Sequence, residues 1–154
     1  MGQATHEQVN LMLRLYELRR EPRLREARAW FTANYHVTSL EEVMKKYPPG
    51  SEENTNMRMA VSYWDMVAGI VNRGLIDEEL FFENNGEIWL VWDRIRVVAP
   101  AMRAAFKNPH VFEHLEEVCK RLEAWREKRA PGSTAVMRQM IEQMQRGTAK
   151  AASE

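Results

Sequence analysis

The sequence predicts an all-α protein, folded as an irregular bundle of six or seven helices. Apolar residues recur every three or four positions over most of the chain, which is the spacing of amphipathic helices. Residues that favour helix N-caps precede these segments, and prolines and glycines separate them. With 154 residues, of which 45% are hydrophobic and 29% are charged, the chain has the size and composition of one folded domain.

The first two predicted helices follow from a capping box and a proline. Thr5 and Gln8 have the Thr-x-x-Gln spacing, in which each side chain bonds to a backbone group of the first turn. Apolar residues cover most of this first helix, so we expect it to be largely enclosed. Pro22 lacks an amide hydrogen and is tolerated only in a first turn, so it ends the first helix or begins the second.

Two further helices occupy the middle of the chain. The segment from Thr38 to Glu41 repeats the capping pattern and begins a short helix that ends before Pro48-Pro49-Gly50. The longest helix is predicted from about Glu52 to Arg73, with Gly74 as its C-terminal cap because glycine adopts left-handed backbone angles easily. Its apolar face makes it the expected central helix of the bundle: Ala60, Tyr63, Trp64, Val67, Ile70 and Val71.

The segment after Asp77, which can cap a further short helix, allows two interpretations. Asn85-Gly86 between apolar runs is typical of a two-residue β-hairpin. However, apolar residues from Ile88 to Met102 recur with helical period over a length that strands rarely reach. We therefore predict a helix, kinked or broken near Val98 because Pro100 interrupts the hydrogen-bond ladder.

The C-terminal part of the chain is predicted to hold two helices separated by a domain boundary. Asn108-Pro109 should begin the first, whose apolar stripe reaches Trp125. Pro131-Gly132-Ser133 then ends a single helical domain at 1–130, leaving 131–154 as a linker, a short methionine-rich helix and a polar tail. We predict that this helix binds a protein partner or a second copy of the chain, and packing on its own domain is the alternative. Its adaptable apolar stripe is Met137, Met140, Ile141 and Met144.

Composition and missing motifs argue against several functional classes. Basic and acidic residues number 22 each, so no nucleic-acid binding is expected. The single cysteine, Cys119, predicts a buried thiol in a reducing cytoplasm rather than a disulfide. We expect a cytoplasmic protein without membrane insertion, because no apolar run approaches ~20 residues and no signal peptide is recognisable. Phosphate-binding glycine loops, nucleophile elbows and zinc-binding helices are not recognisable either, so no cofactor and no metal is expected.

Two charged clusters are interpreted as surface features. His110 and His114 are spaced to share a metal ion, but neighbouring glutamates at the start of a surface helix favour solvated imidazoles. Five arginines between the first two helices could bind phosphate, yet interleaved glutamates favour a solvated face of ion pairs. These arginines are Arg19, Arg20, Arg23, Arg25 and Arg28.

The most informative pattern is a narrow polar stripe on the central helix. In one interpretation it faces a neighbouring helix and lines a groove for a ligand or peptide. In the other, which we favour, a buried network of aspartate and arginine fixes the register of the helices, and Asp65 pairs with an arginine. The candidate residues of the groove are Arg58, Ser62, Asp65, Asn72, Arg94 and Arg96.

The run from Tyr63 to Phe82 resembles a family of small bacterial helical proteins catalogued as a domain of unknown function. The most specific features are the Trp64-Asp65 helix, its Gly-Leu-Ile-Asp ending at Asp77, and the tryptophan-rich segment Ile88 to Trp92. The likeness extends from about Leu15 to Trp125. It implies a helical fold and a bacterial origin, and supplies no activity and no catalytic residues.

These features favour a non-enzymatic interaction or regulatory module, because the chain offers packed helices without an assembled acid, base and nucleophile. The alternative is a small-molecule-binding or hydrolytic protein that uses the groove around Arg58, Asp65 and Arg94. A deep polar pocket would favour that alternative. An apolar exposed groove or a symmetric dimer would favour the module.

Overall fold

A computed structural model describes residues 2–153, and that range contains nine α-helices and no strand. The all-α class is therefore confirmed, although the helices outnumber the six or seven that the sequence predicts. In chain order they are α1 His6–Arg19, α2 Pro22–Asn34, α3 Leu40–Lys46, α4 Glu52–Asn72, α5 Glu78–Asn84, α6 Glu87–Ile95, α7 Ala99–Ala105, α8 Glu113–Arg129 and α9 Ser133–Ser153.

The extra helix in the middle of the chain results from Pro100. The sequence predicts a helix from Ile88 to Met102 that Pro100 kinks or breaks near Val98, and the structure shows the break: α6 ends at Ile95, and α7 begins at Ala99 with Pro100 in its first turn. A proline in a first turn has no intrahelical hydrogen bond to lose, so a new helix is favoured over a strained kink. Helix rather than hairpin is confirmed at Asn85-Gly86, because Gly86 is the N-cap of α6.

Local capping chemistry fixes the helix ends much as the sequence predicts. Thr5 and Gln8 form the expected capping box, with reciprocal bonds of 3.0 and 3.1 Å. The Asp77 carboxylate accepts the Leu80 N–H at 2.9 Å and caps α5. Gly74 follows the last turn of α4 with a φ of 71°, a left-handed angle that a residue with a β-carbon adopts only at a cost.

The start of α8 differs from the prediction. Asn108-Pro109 was expected to begin this helix, but α8 begins at Glu113. Lys107 and Phe112 have left-handed φ angles of 50° and 59°, so residues 107–112 turn instead of continuing a helix. Arg103 holds this turn from α7: its Nε donates to the Val111 carbonyl at 2.9 Å, and its Nη2 donates to Glu116 at 2.7 Å.

The chain divides into two compact units, Met1–Cys119 and Lys120–Glu154, and the division falls inside α8. In the second unit, the Glu127 carboxylate accepts the backbone N–H groups of Gly132 and Thr134 at 2.9 Å each and so caps α9. The sequence suggests a polar tail after about Arg146, whereas α9 continues to Ser153. Glu154, the last residue of that tail, lies outside the described range.

Helix α1 is much less enclosed than expected. Within this fully described helix, Leu15 is the buried residue, while Leu13, Tyr16 and Leu18 are about half exposed. Its apolar residues are spread around the whole helix, and one side alone faces the core. On that side the Tyr63 hydroxyl of α4 donates to the Leu15 carbonyl at 2.7 Å.

Helices α2, α4 and α6 meet at one carboxylate, that of Glu87 in the first turn of α6. Arg28 of α2 donates to both of its oxygens, at 2.9 and 2.5 Å, and the indole Nε1 of Trp64 in α4 donates at 3.2 Å. Trp64 is fully buried, and the side chains of Arg28 and Glu87 are about four-fifths buried. This is a charge-assisted, bidentate junction rather than a surface ion pair.

The expectation of a solvated arginine face is therefore wrong for three of the five arginines. Besides Arg28, Arg23 donates to the buried Asn56 at 2.7 Å, and the Arg19 guanidinium lies 5.6 Å from the Trp64 ring centroid. Planar guanidinium groups suit both bidentate carboxylate contacts and stacking on indole rings. Most of the arginine cluster thus joins helices.

Removing the Glu87 carboxylate should destabilise the fold. The change Glu87→Ala leaves Arg28 and the Trp64 indole without their acceptor, so we expect the free energy of unfolding to fall by about 2 to 4 kcal/mol. The matched control is Arg96→Ala, which breaks the 3.0 Å pair between the half-exposed Arg96 and Asp93 and should cost about 0.5 kcal/mol. Urea denaturation of both variants measures the difference, and equal losses would contradict the junction.

Candidate functional site

A pocket of about 460 Å³ opens beside α4, and we call it the methionine pocket. Its walls come from the end of α2, from α3, α4 and α7, from the last residue of α6, and from the turn before α8. Most of the lining is apolar, with polar side chains set among it. The lining residues are Tyr35, Val43, Thr55, Met57, Arg58, Met59, Val61, Ser62, Asp65, Ile95, Met102 and Phe112.

Helix α4 forms the long wall of this pocket. Its lining residues run from Thr55 to Asp65, which corresponds to about 15 Å at 1.5 Å per residue. Arg58, Ser62 and Asp65 recur at helical spacing on this wall, as the predicted polar stripe requires. Arg58 and Ser62 are exposed, whereas Asp65 is half-buried.

Asp65 is the less exposed of the two charged side chains that line the pocket. One carboxylate oxygen accepts the backbone N–H of Leu115 at 3.3 Å. Burial raises the pKa of Asp65 above its ordinary value, and the Leu115 hydrogen bond and the nearby His114 oppose that rise. The predicted pairing with an arginine is wrong, because within residues 2–153 no arginine lies within ion-pair distance of this carboxylate.

Tyr35 supplies a second polar group to the pocket wall. It follows α2, is fully buried, and stacks on Phe31 with ring centroids 4.6 Å apart. Its hydroxyl has no hydrogen-bond partner among the described residues. Burial strongly raises the pKa of this phenol, so the hydroxyl stays protonated and can donate a hydrogen bond.

The remaining predicted site residues have other positions. Arg94 is buried, and its Nη1 donates to the Phe31 and Thr32 carbonyls at 2.7 Å each, which caps the C-terminal end of α2. Burial lowers the pKa of Arg94 to about 10, so it stays charged at neutral pH. Arg96 is exposed and pairs with Asp93.

Asn72, the last predicted residue of the stripe, joins α4 to α8. Its amide nitrogen lies 2.9 Å from His114 Nδ1 and donates to Glu117 at 3.2 Å. A β-carbon at Gly69 would lie 3.5 Å from the His114 ring, which is ordinary van der Waals contact, so the packing of α8 here does not require glycine. The stripe thus has two roles: its first half lines the pocket and its second half packs α8.

His110 and His114 contact different partners. His110 Nδ1 lies 2.6 Å from the Glu113 carboxylate, and His114 contacts Asn72. Over residues 2–153, His, Cys, Asp and Glu side chains nowhere gather in a group of three that could hold a metal ion. In the same range, every helix is too short or too polar to cross a membrane.

Sequence reasoning missed most of the pocket. Met57, Met59, Met102 and Phe112 carry no polar signal, and the helical pattern assigns them to the core. Tyr35 follows the end of a helix, where nothing in the sequence marks its hydroxyl as unpaired. The available signal was the methionine content: the chain has 10 methionines, and this flexible side chain is common at adaptable binding surfaces.

Comparison with known proteins places the chain in a family. The profile described as "Domain of unknown function (DUF4760)" matches residues 4–122, which is more than half of the chain. The chain belongs to this family. No curated protein and no solved structure matches it. The methionine pocket lies wholly inside the DUF4760 region, and α9 lies outside it.

Replacing Asp65 in this DUF4760 domain tests its electrostatic environment. Because the folded state raises the pKa of Asp65 above 3.8, ionised Asp65 lowers stability once the pH exceeds that raised pKa. Asp65→Asn keeps an oxygen for Leu115 and removes the charge. We expect the variant to be more stable by roughly 0.5 to 1 kcal/mol at neutral pH, and equal to the wild type below about pH 3.

Denaturation at a series of pH values measures this difference. A loss of more than about 1 kcal/mol at neutral pH would show that a cation of the protein holds the carboxylate, as the predicted aspartate–arginine network requires.

Proposed function

We propose that this DUF4760 domain is a non-enzymatic regulatory module that binds a small amphipathic molecule in the methionine pocket. The observation that carries the proposal is the pocket itself. Its volume of about 460 Å³ falls in the range of small-molecule sites. Apolar walls with a few convergent polar groups are typical of such sites.

The methionines support a binding role. Met57, Met59 and Met102 come from two helices that face the same space. Methionine is unbranched, flexible and polarizable, so a wall of methionines adapts to an apolar body of irregular shape. Such a pocket suits the binding of a ligand through burial of its apolar surface. It is less suited to catalysis, which requires reacting groups held in fixed positions.

The polar groups of the pocket support binding over hydrolysis. The Ser62 hydroxyl donates to the Met59 carbonyl at 3.4 Å, and Asp65 accepts from the Leu115 backbone. Among the described residues, no hydrogen bond joins Ser62 to Asp65 or to a histidine. An activated serine nucleophile requires a base within hydrogen-bond reach.

The neutral amphipath n-octanol tests this proposal. A molecule that binds the folded state alone raises the melting temperature by mass action. We expect n-octanol to raise the melting temperature of the wild type and not of Ser62→Trp, where an indole at the exposed rim fills the pocket. The control is Met66→Trp, because Met66 is exposed on the same helix and does not line the pocket.

The proposal fails if n-octanol leaves the melting temperature of the wild type unchanged up to its solubility limit. It also fails if Ser62→Trp responds to n-octanol as strongly as Met66→Trp.

A second candidate function, self-association through α9, has its own observation. Val136, Met140 and Met144 are each more than half exposed, while Met137 and Ile141 are partly buried. Spacings of three and four residues between Met137, Met140 and Met144 are those of a coiled-coil seam. The same stripe continues into small residues near Gly147, which would allow two copies of α9 to approach closely.

Charge inserted into the stripe should prevent such association. We expect the wild type to show concentration-dependent self-association in sedimentation equilibrium, and Met140→Glu combined with Met144→Glu to remain monomeric. The control adds the same charge beside the stripe, as Gln139→Glu with Gln143→Glu, and should associate like the wild type. A wild type that is monomeric at millimolar concentration would exclude this second function.

A further inference from the structure

Two of the polar side chains that line the methionine pocket, Tyr35 and Asp65, belong to opposite ends of its α4 wall. Tyr35 belongs to the end where α4 begins: its ring lies 5.8 Å from that of Tyr47, whose carbonyl accepts a hydrogen bond from Asn54 in the first turn of α4. Asp65 belongs to the α8 end, through its bond with Leu115. The path along α4 between these ends is about 15 Å. An occupant that satisfies both groups must therefore be elongated, with a polar group at each end.

The Asp65 carboxylate has hydrogen-bonding capacity to spare. A carboxylate offers about four acceptor sites, and the structure fills one of them with a long bond of 3.3 Å. Among the described residues, no arginine or lysine forms an ion pair with this carboxylate, and the Nδ1 atom of the neighbouring His114 lies 2.9 Å from the Asn72 amide nitrogen. A protonated amine would supply both the missing positive charge and short charge-assisted hydrogen bonds.

The other charge at the pocket, Arg58, does not reverse this preference. It lies seven residues before Asp65 on α4, about 10 Å along the helix axis. That separation exceeds the Debye length of about 8 Å at physiological ionic strength, so repulsion between Arg58 and an amine at Asp65 is screened. Arg58 is also exposed, where an ion pair with an anionic ligand would be weak. The half-buried carboxylate therefore dominates recognition.

The Tyr35 hydroxyl provides the second contact. Tyr35 belongs to the pocket wall, and its hydroxyl is fully buried there without a partner among the described residues, so a ligand reaches it when the flexible side chains beside it move aside. Buried hydroxyl groups without a partner are unusual, because the group loses its hydrogen bonds to water without replacement. A polar group at the far end of an elongated ligand would restore that bond.

We propose that the methionine pocket is a site for an amphipathic amine, with its protonated amino group on Asp65, its apolar chain along Met59, Ile95 and Met102, and a polar far end on the Tyr35 hydroxyl. This inference rests on the proposed function, because it assigns the chemical class of the molecule that the pocket binds.

Three probes with the same alkyl chain test the amino-group preference: n-octylamine, n-octanol and octanoate, each titrated calorimetrically at neutral pH. We expect the amine to bind about tenfold more tightly than the alcohol, and octanoate to bind most weakly. In Asp65→Asn, amine binding should fall to the level of the alcohol while alcohol binding is retained, which shows that the pocket is intact. Glu17→Gln removes an exposed carboxylate on α1 and should change none of the three.

The Tyr35 contact forms a second arm of the same titration. The α,ω-amino alcohol of this chain length should bind the wild type about fivefold more tightly than n-octylamine, and Tyr35→Phe should abolish that gain without weakening n-octylamine. If none of the probes binds, the proposed function fails. If amine, alcohol and carboxylate bind equally, or if Asp65→Asn or Tyr35→Phe leaves these preferences unchanged, the pocket stands as a binding site and the assignment to an amphipathic amine is wrong.

Discussion

The arrangement of the helices depends on the carboxylate of Glu87, which accepts hydrogen bonds from Arg28 of α2 and Trp64 of α4. Its position in the first turn of α6 also suits a negative charge, because the helix dipole is positive there. Two turns later on the same face of α6, Arg94 binds the carbonyls at the end of α2. Helix α6 is thereby attached to α2 at two points, and both attachments exclude water from charged groups. The end of α2, α4 and the end of α6 are also walls of the methionine pocket, so this junction sets the shape of the site.

Helix α4 connects the junction to the site. One of its faces carries Trp64 into the core, and a polar stripe runs along another. The stripe has two uses: Arg58, Ser62 and Asp65 line the pocket, whereas Asn72 contacts His114 and Glu117 of α8. Asp65 stands where these parts meet, since it lines the pocket and also accepts from the backbone of α8. The Asp65 carboxylate thus accepts one hydrogen bond from the protein backbone and can accept further hydrogen bonds from a ligand.

Features of the fold that depend on neighbouring residues could be predicted from the sequence. The Thr5 capping box, the Gly74 cap and the choice of helix over hairpin at Asn85-Gly86 depend on a few adjacent positions, and the structure confirms them. Features that depend on distant partners could not be predicted. Arg28 binds the carboxylate of Glu87, which lies 59 positions away in the sequence. The local pattern of arginines and glutamates therefore wrongly placed Arg28 on a solvated surface. Likewise, no residue near Phe112 in the sequence indicates that its backbone adopts a left-handed φ angle.

The candidate site follows the same division. Helical spacing placed Arg58, Ser62 and Asp65 on one stripe of α4, because that depends on the geometry of one helix. The unpaired Tyr35 hydroxyl and the rest of the apolar wall come from five other segments, and side-chain spacing within α4 contains no information about them. The same limit explains why Arg94 was placed in the groove: facing α4 and capping α2 are alternatives that only the packing of α6 decides.

Binding of an amphipathic molecule in the methionine pocket can be followed through the methyl groups of its methionines. Labelled methionine methyl groups give separate nuclear magnetic resonance signals, and n-octylamine can be added stepwise. We expect the methyl signals of Met57, Met59 and Met102 to shift together and saturably, while those of the exposed Met44 and Met66 stay in place. Shifts confined to exposed methionines, or no saturable shift at the three pocket methyl groups, would contradict binding in the methionine pocket.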